Sequence, residues 1–265
     1  MLARIIIILC VLTGVGVTVQ AQSPNVWNHK KCAVALTYDD ALNVDLDHAI
    51  PVLDSLGLKG TFYLSGFFPG CRERLREWKR VAAHGHELAN HTLFHPCIGT
   101  GRSWVKPDYD LTTYTLTRLV DEIRMNNTLL QSLDGKTVRT FAYPCGDTSV
   151  GDTTYVEAIK DYFVSARGVK GEMYKINEID LYNVGSYMIN GQSGDYLINL
   201  VKTAMAQNKL VVFLFHGVGG EHDLNVGLKE HSQLLHFLKE NEKDIWVAPF
   251  ADITEYVKGY NRGAK

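Results

Sequence analysis

The sequence predicts a single α/β domain, an irregular (β/α) barrel of about seven parallel strands. Apolar strand-like runs alternate with amphipathic helical patterns along the chain, which is typical of parallel strands joined by crossover helices. No linker, internal repeat or low-complexity tract divides the 265 residues. A polar motif follows each of four predicted strands, and the C-terminal ends of parallel strands meet at one face. A doubly wound open sheet is the alternative arrangement.

The predicted strands are apolar runs at residues 33–36, 60–64, 87–89, 138–143, 163–165, 183–189, 211–215 and 245–248. The predicted helices have apolar residues at helical spacing, at residues 44–56, 72–83, 119–133, 195–206, 228–240 and 253–256. Gly57 follows the first helix and the pair His84-Gly85 follows the second, as is typical of helix ends. A helix between two strands returns the chain, so that the second strand runs parallel to the first.

The amino-terminal segment is typical of a secretory signal peptide. Arg4 precedes an uncharged apolar run at residues 5–19, and Val19-Gln20-Ala21 fits a small-x-small cleavage site. The run is shorter than the roughly 20 residues that a membrane span needs. We therefore predict a signal peptide at 1–21, a mature domain at 22–265, export to the periplasm or the exterior, and no stable membrane insertion. An uncleaved anchor helix is the alternative.

The net charge limits the expected binding partners, and the cysteines limit the possible disulfide bonds. The chain has 27 Lys+Arg and 29 Asp+Glu, a net charge of −2, so neither a nucleic acid nor an anionic membrane surface is an expected partner. Cys32, Cys71, Cys97 and Cys145 remain after cleavage and allow three fully paired connectivities. Cys97 and Cys145 lie beside two motif loops, which suggests a bridge that braces a site; free buried thiols are the alternative. The oligomeric state stays open.

A carboxylate pair and a histidine pair form the most informative motif. Asp39-Asp40 ends the first strand, and His91 and His95 follow the third. Two histidines four residues apart would lie on one face of a helical turn and could reach one metal ion. One carboxylate of the Asp39-Asp40 pair can complete a two-histidine, one-carboxylate site with open positions for water and substrate, which leaves the other free to act as a base beside the metal. These ligands suit Zn²⁺, with Co²⁺ and Ni²⁺ as alternatives.

Two further motifs follow later strands. His216 comes after an apolar strand and could be a general acid, although a structural histidine at a strand end is the alternative. The turn that ends the fourth strand offers backbone N–H groups from Cys145 onward, because Pro144 has none, and could form an oxyanion site or be an ordinary strand exit. We predict that the substrate contacts Tyr143, Pro144, Asp147, Arg167 and His222.

Together these residues resemble the polysaccharide deacetylase family, also called carbohydrate esterase family 4 or the chitooligosaccharide deacetylase homology domain. The family's first motif is similar to Thr37-Tyr38-Asp39-Asp40, its second to His91-Thr92-Leu93-Phe94-His95, and its fifth to Leu214-Phe215-His216. The resemblance implies that Asp39 is the general base and His216 the general acid. It implies that Asp40, His91 and His95 bind the metal and that the Cys145 amide is the oxyanion donor.

Two departures from the family pattern concern the groups that orient the base and the acid. The family's third motif usually has an arginine directed at the base, and Ala142 stands at that place here. The fourth motif, which orients the acid histidine, is not recognisable near residues 185–190. Another group must therefore orient Asp39 and His216, and Arg167, after the fifth strand, is the candidate.

The resemblance implies a metal-dependent hydrolase that removes acetyl groups from a glycan, N-acetyl amides first and O-acetyl esters second. A catalytically impaired glycan-binding protein and a metal amidohydrolase of a non-sugar amide are the alternatives. A zinc peptidase is disfavoured because the sequence has no His-Glu-x-x-His element.

Overall fold

The computed structural model describes residues 25–263, so the predicted signal peptide lies outside the described part. No helix among the described residues is both long enough and apolar enough to cross a membrane.

Eight strands form the main sheet, and all of its pairings are parallel. They are β1 (Cys32–Asp39), β2 (Thr61–Leu64), β3 (Glu87–Asn90), β4 (Phe141–Ala142), β5 (Ala166–Arg167), β6 (Tyr187–Met188), β7 (Leu210–Phe215) and β8 (Ile245–Val247). The order across the sheet is β5-β4-β3-β2-β1-β7-β6, and β8 pairs with the first half of β1. Two small pairs stand apart: Ser149–Val150 with Thr153–Thr154, and Gly217–Val218 with Asn225–Val226.

The sheet curls until the segment before β6 meets β5. Val184 forms an isolated parallel bridge with Arg167, and the N–H of Gly168 donates to the carbonyl of Val184 at 2.8 Å. The same segment continues into β6, which pairs with β7. Seven strands thus surround one interior, with a single bridge at the seam, which confirms the predicted irregular barrel.

The α-helices are α1 (Ile50–Leu56), α2 (Pro69–Arg72), α3 (Leu75–Ala83), α4 (Leu116–Asp134), α5 (Val156–Ile159), α6 (Gly194–Gln207), α7 (Leu228–Glu240) and α8 (Phe250–Gly263). A π-helical turn, Asp45–Ala49, leads into α1. The helix predicted at 72–83 begins only at Leu75, as α3, because Arg72 ends the separate short helix α2. Helix α8 is longer than the predicted 253–256. The strand predicted at 183–189 is reduced to the bridge and the two residues of β6.

Side-chain alternation along β1 divides the core into two layers. Val34 and Leu36 point outward into a cluster with residues of α1, α6 and α7. Ala33 and Ala35 point into the barrel, where they pack in a second cluster with Tyr63 and other residues of the interior. Small residues at these inward positions leave room for larger side chains from the facing strands. The same parity directs Asp39 inward at the C-terminal end of the barrel.

Helix α8 lies across the opposite end of the barrel. The N–H of Phe250 donates to Thr61 Oγ1 at 2.8 Å, and the N–H of Ala251 donates to Glu87 Oε2 at 3.0 Å. These acceptors stand at the first residues of β2 and β3 and satisfy amides of the first turn of α8. Helix α8 thus packs against the end of the barrel opposite to the strand ends that carry the motifs.

Candidate metal centre and catalytic site

The two carboxylates of Asp39 and Asp40 face the same site because the backbone turns between them. On a regular strand, neighbouring side chains point to opposite faces. Asp40 has φ 78° and Ala41 has φ 58°, a left-handed conformation that is uncommon outside glycine. This turn brings Asp39 Oδ2 to 3.7 Å and Asp40 Oδ1 to 3.6 Å from His91 Nε2. Both carboxylates are buried.

The histidine pair lies on a loop, so the prediction of a helical turn was wrong. Thr92 and His95 both have positive φ values, 64° and 55°. The Asn90 side chain accepts from the N–H of Thr92 at 2.7 Å, and Thr92 Oγ1 accepts from the N–H of His95 at 2.9 Å. These side-chain contacts replace helical hydrogen bonds and still hold the two imidazole rings 4.7 Å apart.

The donor atoms of Asp40, His91 and His95 all lie within 4.8 Å of one another. His91 Nδ1 donates to the carbonyl of Ala142 at 2.8 Å, so Nε2 keeps its lone pair and points at Asp40. Burial lowers the pKa of His91 to about 4, which keeps this imidazole neutral near pH 7. Asp40 Oδ1 is buried without a hydrogen-bond donor among the described residues and lies 3.4 Å from His95 Nε2. A divalent cation would satisfy this oxygen, and the donor set fits one.

Arg167 is fully buried and contacts the carboxylate of Asp39. Its Nη2 donates to Asp39 Oδ1 at 2.6 Å and to Oδ2 at 2.5 Å. Its Nη1 donates to the carbonyl of Gly168 and to Ser186 Oγ, and its guanidinium lies over the Tyr63 ring at 4.9 Å. Arg167 is therefore held on several sides, and it orients Asp39 from β5, the strand beside the one that carries Ala142.

His216 and His222 form a stacked pair on the other side of Asp40. Their ring centroids are 4.7 Å apart, and their Nε2 atoms lie 4.0 and 3.7 Å from Asp40 Oδ2. Burial lowers the pKa of His216, and its Nδ1 has no hydrogen-bond partner within residues 25–263. His222 Nδ1 accepts from the N–H of Leu224 at 2.9 Å, so its neutral form carries the proton on Nε2, which faces Asp40.

The turn at Cys145 is joined to the histidine loop. Cys145 has φ 57° and forms a disulfide with Cys97, which confirms the suggested bridge. Cys32 and Cys71 are free and buried. Within the turn, the N–H of Gly146 donates to Tyr143 and that of Asp147 to Pro144.

Three of the residues predicted to contact the substrate have side chains that are buried or engaged with other parts of the protein. Tyr143 is 1% exposed and its hydroxyl donates to the carbonyl of Tyr182, because strand alternation turns it out of the barrel into a core cluster. Asp147 accepts from Arg102 Nη1 at 2.5 Å and from the N–H of Ile98 at 2.8 Å, so its carboxylate ties two loops together. Pro144 is buried in the turn that it starts. Arg167 and His222 lie at the site.

Sequence reasoning missed the residues that support the site without being ligands or catalytic candidates. Asn90 holds the histidine loop, the carbonyl of Ala142 orients His91, and Arg102 holds Asp147. Asn90 precedes a ligand directly, and that position could have suggested its role. Arg102 is 45 residues from its partner, and no local pattern links the two.

Comparison with known proteins gives a family match and several relatives. A family model described as polysaccharide deacetylase matches residues 27–162. A gellan lyase from Bacillus sp is 24% identical over 86% of this chain and 9% of its own length. The peptidoglycan-N-acetylmuramic acid deacetylase PdaA of Bacillus subtilis (strain 168) is 27% identical over 44% of this chain and 39% of its own. The chain thus spans less than half the length of these curated relatives.

Solved structures show the same fold. The structure of PdaA, described as a family 4 carbohydrate esterase, has a TM-score of 0.53 at 17% identity and covers 84% of this chain and 80% of its own. The structure of PuuE allantoinase has a TM-score of 0.63 at 10% identity and covers 91% and 95%. The matched family model includes the strand end at Asp39-Asp40, both histidines and the Cys145 turn, and covers just over half of the residues. The chain belongs to the polysaccharide deacetylase family.

Proposed function

We propose that this protein is a metal-dependent hydrolase that removes acetyl groups from a glycan, with N-acetyl amides as the first substrate class and O-acetyl esters as the second. The observation that carries the proposal is the joint geometry of Asp40, His91 and His95 beside an Asp39 carboxylate clamped by Arg167. A binding module has no need of a buried base oriented next to a cation site, so this pairing favours catalysis.

Asp40, His91 and His95 would hold the metal, with Zn²⁺ proposed and Co²⁺ or Ni²⁺ as alternatives. When bound, the cation supplies positive charge that polarises an acetyl carbonyl and makes water more acidic. The chain would supply the remaining groups. Asp39 lies 3.7 Å from His91 Nε2, next to the donor set but engaged with Arg167, which suits a base that accepts the proton of the attacking water.

The oxyanion and the leaving group need donors. Pro144 has no N–H, and the amides of Gly146 and Asp147 are used inside their turn, which leaves the Cys145 amide as the candidate donor to a developing oxyanion. His216 would protonate the departing sugar nitrogen or oxygen. Its Nδ1 has no hydrogen-bond partner among the described residues, so packing and the stacked His222 ring would hold it in place of the family's fourth motif.

Export through the amino-terminal segment belongs to the same proposal, since an acetylated polysaccharide outside the cytoplasm needs an exported enzyme.

The test of the proposed deacetylation is acetate release by the zinc-loaded protein from chitooligosaccharides, poly-N-acetylglucosamine, peptidoglycan fragments and acetylated xylan. Asp39→Asn is the control variant. Release that the variant abolishes would support the proposal and separate amide from ester substrates. No release across the panel, with metal bound, would favour a glycan-binding protein or a non-sugar amide.

A further inference from the structure

An aromatic groove of about 370 Å³ adjoins the site at His95. Its wall is built from rings that pack on one another: Phe67 and Phe94 have centroids 5.1 Å apart, and Phe94 stacks on Tyr109 at 5.6 Å. Trp104 completes the lining on the opposite loop and is 64% exposed, while Phe67 is 46% exposed. Exposed apolar surface gathered in one concave place is typical of a binding surface.

The loop that carries Trp104 is fastened at several points although the side chain itself is exposed. The disulfide between Cys97 and Cys145 ties its start to the candidate oxyanion turn. Arg102, two residues before Trp104, is bound to Asp147 through an ion pair. The N–H of Gly99 donates to Asp110 Oδ1 at 2.9 Å, which closes the loop on itself. A platform held in place before binding loses less conformational entropy when a ligand arrives.

The groove is continuous with the candidate metal centre because His95 belongs to both. The His95 ring also lies 5.7 Å from that of Phe68, another residue of the groove. A polymer whose acetylated unit lies at the metal must extend away from it, and this groove leads outward from His95. Flat aromatic faces suit the apolar faces of pyranose rings, and the exposed Lys106 at the edge can donate to hydroxyl or carbonyl oxygens.

We propose that this groove binds the sugar rings next to the acetylated unit, with Trp104 as the stacking platform, so that the protein selects oligosaccharides of several units over monosaccharides. The inference rests on the proposed function for the identity of the occupant, a glycan chain. It also assigns Asp147 and Arg102 a positioning role: they hold the loop that presents Trp104.

Binding can be tested without turnover. Of the four tryptophans, Trp27 and Trp78 are fully buried and Trp246 is half-buried, so acrylamide quenching of fluorescence reports mainly on Trp104. The probes are chitotetraose and acetylated xylotetraose, each compared with its monosaccharide, on the zinc-loaded Asp39→Asn protein. We expect one tetrasaccharide to protect Trp104 from acrylamide, and Trp104→Ala to weaken its affinity, measured by calorimetry, at least tenfold. Tyr260 is an exposed aromatic residue on α8, at the other end of the barrel, and the control variant Tyr260→Ala should bind the tetrasaccharide with wild-type affinity.

Activity then separates the two proposals. In the active protein, Trp104→Ala should raise KM for the tetrasaccharide at least fivefold and leave kcat near the wild-type value. Arg102→Met should act in the same direction to a smaller extent. If Trp104→Ala releases acetate with the same chain-length preference as the wild type, the proposal that the groove binds sugar rings is wrong and the proposed deacetylase activity stands. If the protein binds the tetrasaccharide through Trp104 but releases no acetate, the groove proposal is supported and the proposed deacetylase activity is wrong. A wild-type protein that binds neither tetrasaccharide would overturn the groove.

Discussion

A single nitrogen of Arg167, Nη2, donates to both carboxylate oxygens of Asp39, at 2.6 and 2.5 Å. The two residues are 128 positions apart, and the barrel joins them because β5 and β1 both end at its open face. Arg167 thus reaches the Asp39 carboxylate from β5, the strand beside the one that carries Ala142.

Replacement of Arg167 by Met should abolish most of the turnover. The buried Asp39 carboxylate would lose its cation and both charge-assisted hydrogen bonds, and a misoriented base costs roughly 10²–10⁴ in rate. We expect kcat to fall by at least about 10², the lower end of the loss of a positioned base, with metal content unchanged. Arg167→Lys should retain part of the activity. Steady-state kinetics with metal analysis check this.

Arg139 provides the control for the loss of a buried arginine. It pairs with Asp134 and donates to the carbonyl of Leu88, away from the site. Arg139→Met should lower the midpoint of thermal unfolding and leave kcat of the folded protein unchanged. Full activity in Arg167→Met would show that Asp39 needs no partner.

The base and the metal ligands should separate by their metal content. Asp39→Asn should lose turnover and keep its metal, because its carboxylate is engaged by Arg167 and lies outside the cluster of Asp40, His91 and His95. Asp40→Ala and His91→Ala should lose both. Atomic absorption of dialysed proteins gives the measurement, with exposed His29→Ala as the control. Equal metal loss in Asp39→Asn and Asp40→Ala would contradict the assignment of Asp39 as base.

Much of the fold and the convergence of the motifs could be predicted because both depend on local pattern. Alternating strands and helices imply parallel strands, and parallel strands bring Asp39, His91, Cys145 and His216 to one face. The error at His91 and His95 has a specific cause. Four-residue spacing fits a helical turn, but a loop held by side chains of Asn90 and Thr92 brings the rings together equally well.

The buried position of Tyr143 shows a second limit of local pattern. Proximity to a motif in the sequence suggested contact with the substrate, yet strand parity directs Ala142 into the barrel and Tyr143 out of it. Contacts such as that between Arg102 and Asp147 depend on how two loops meet. Local sequence carries no record of such distant pairs.

Loss of the disulfide should destabilise the protein and lower its turnover. The bridge joins residues separated by 48 positions, and closing such a loop is worth about 4 kcal/mol in the chain-entropy description. The double variant Cys97→Ser, Cys145→Ser keeps the backbone amide of residue 145 but releases its turn. We expect a lower midpoint of thermal unfolding and a reduced kcat. A reductant should lower the midpoint of the wild type and leave that of the double variant unchanged; a wild-type midpoint that the reductant does not affect would contradict this.

Stability should fall with acid through His231. This histidine is buried against Tyr38, whose hydroxyl lies 2.8 Å from His231 Nε2, and burial lowers its pKa to about 4 from 6.5. As pH falls below 6.5, the unfolded chain binds the proton first, so stability that is present above that pH is lost progressively toward pH 4. The shift in the pKa of His231 corresponds to about 3 kcal/mol in the free energy of unfolding.

Urea unfolding of the metal-free protein should show a smaller loss of unfolding free energy between pH 6.5 and 4 in His231→Gln than in the wild type. The exposed His236 lies on the same helix, and His236→Gln should retain the wild-type pH dependence. Parallel curves for wild type and His231→Gln would place the acid sensitivity elsewhere in the barrel.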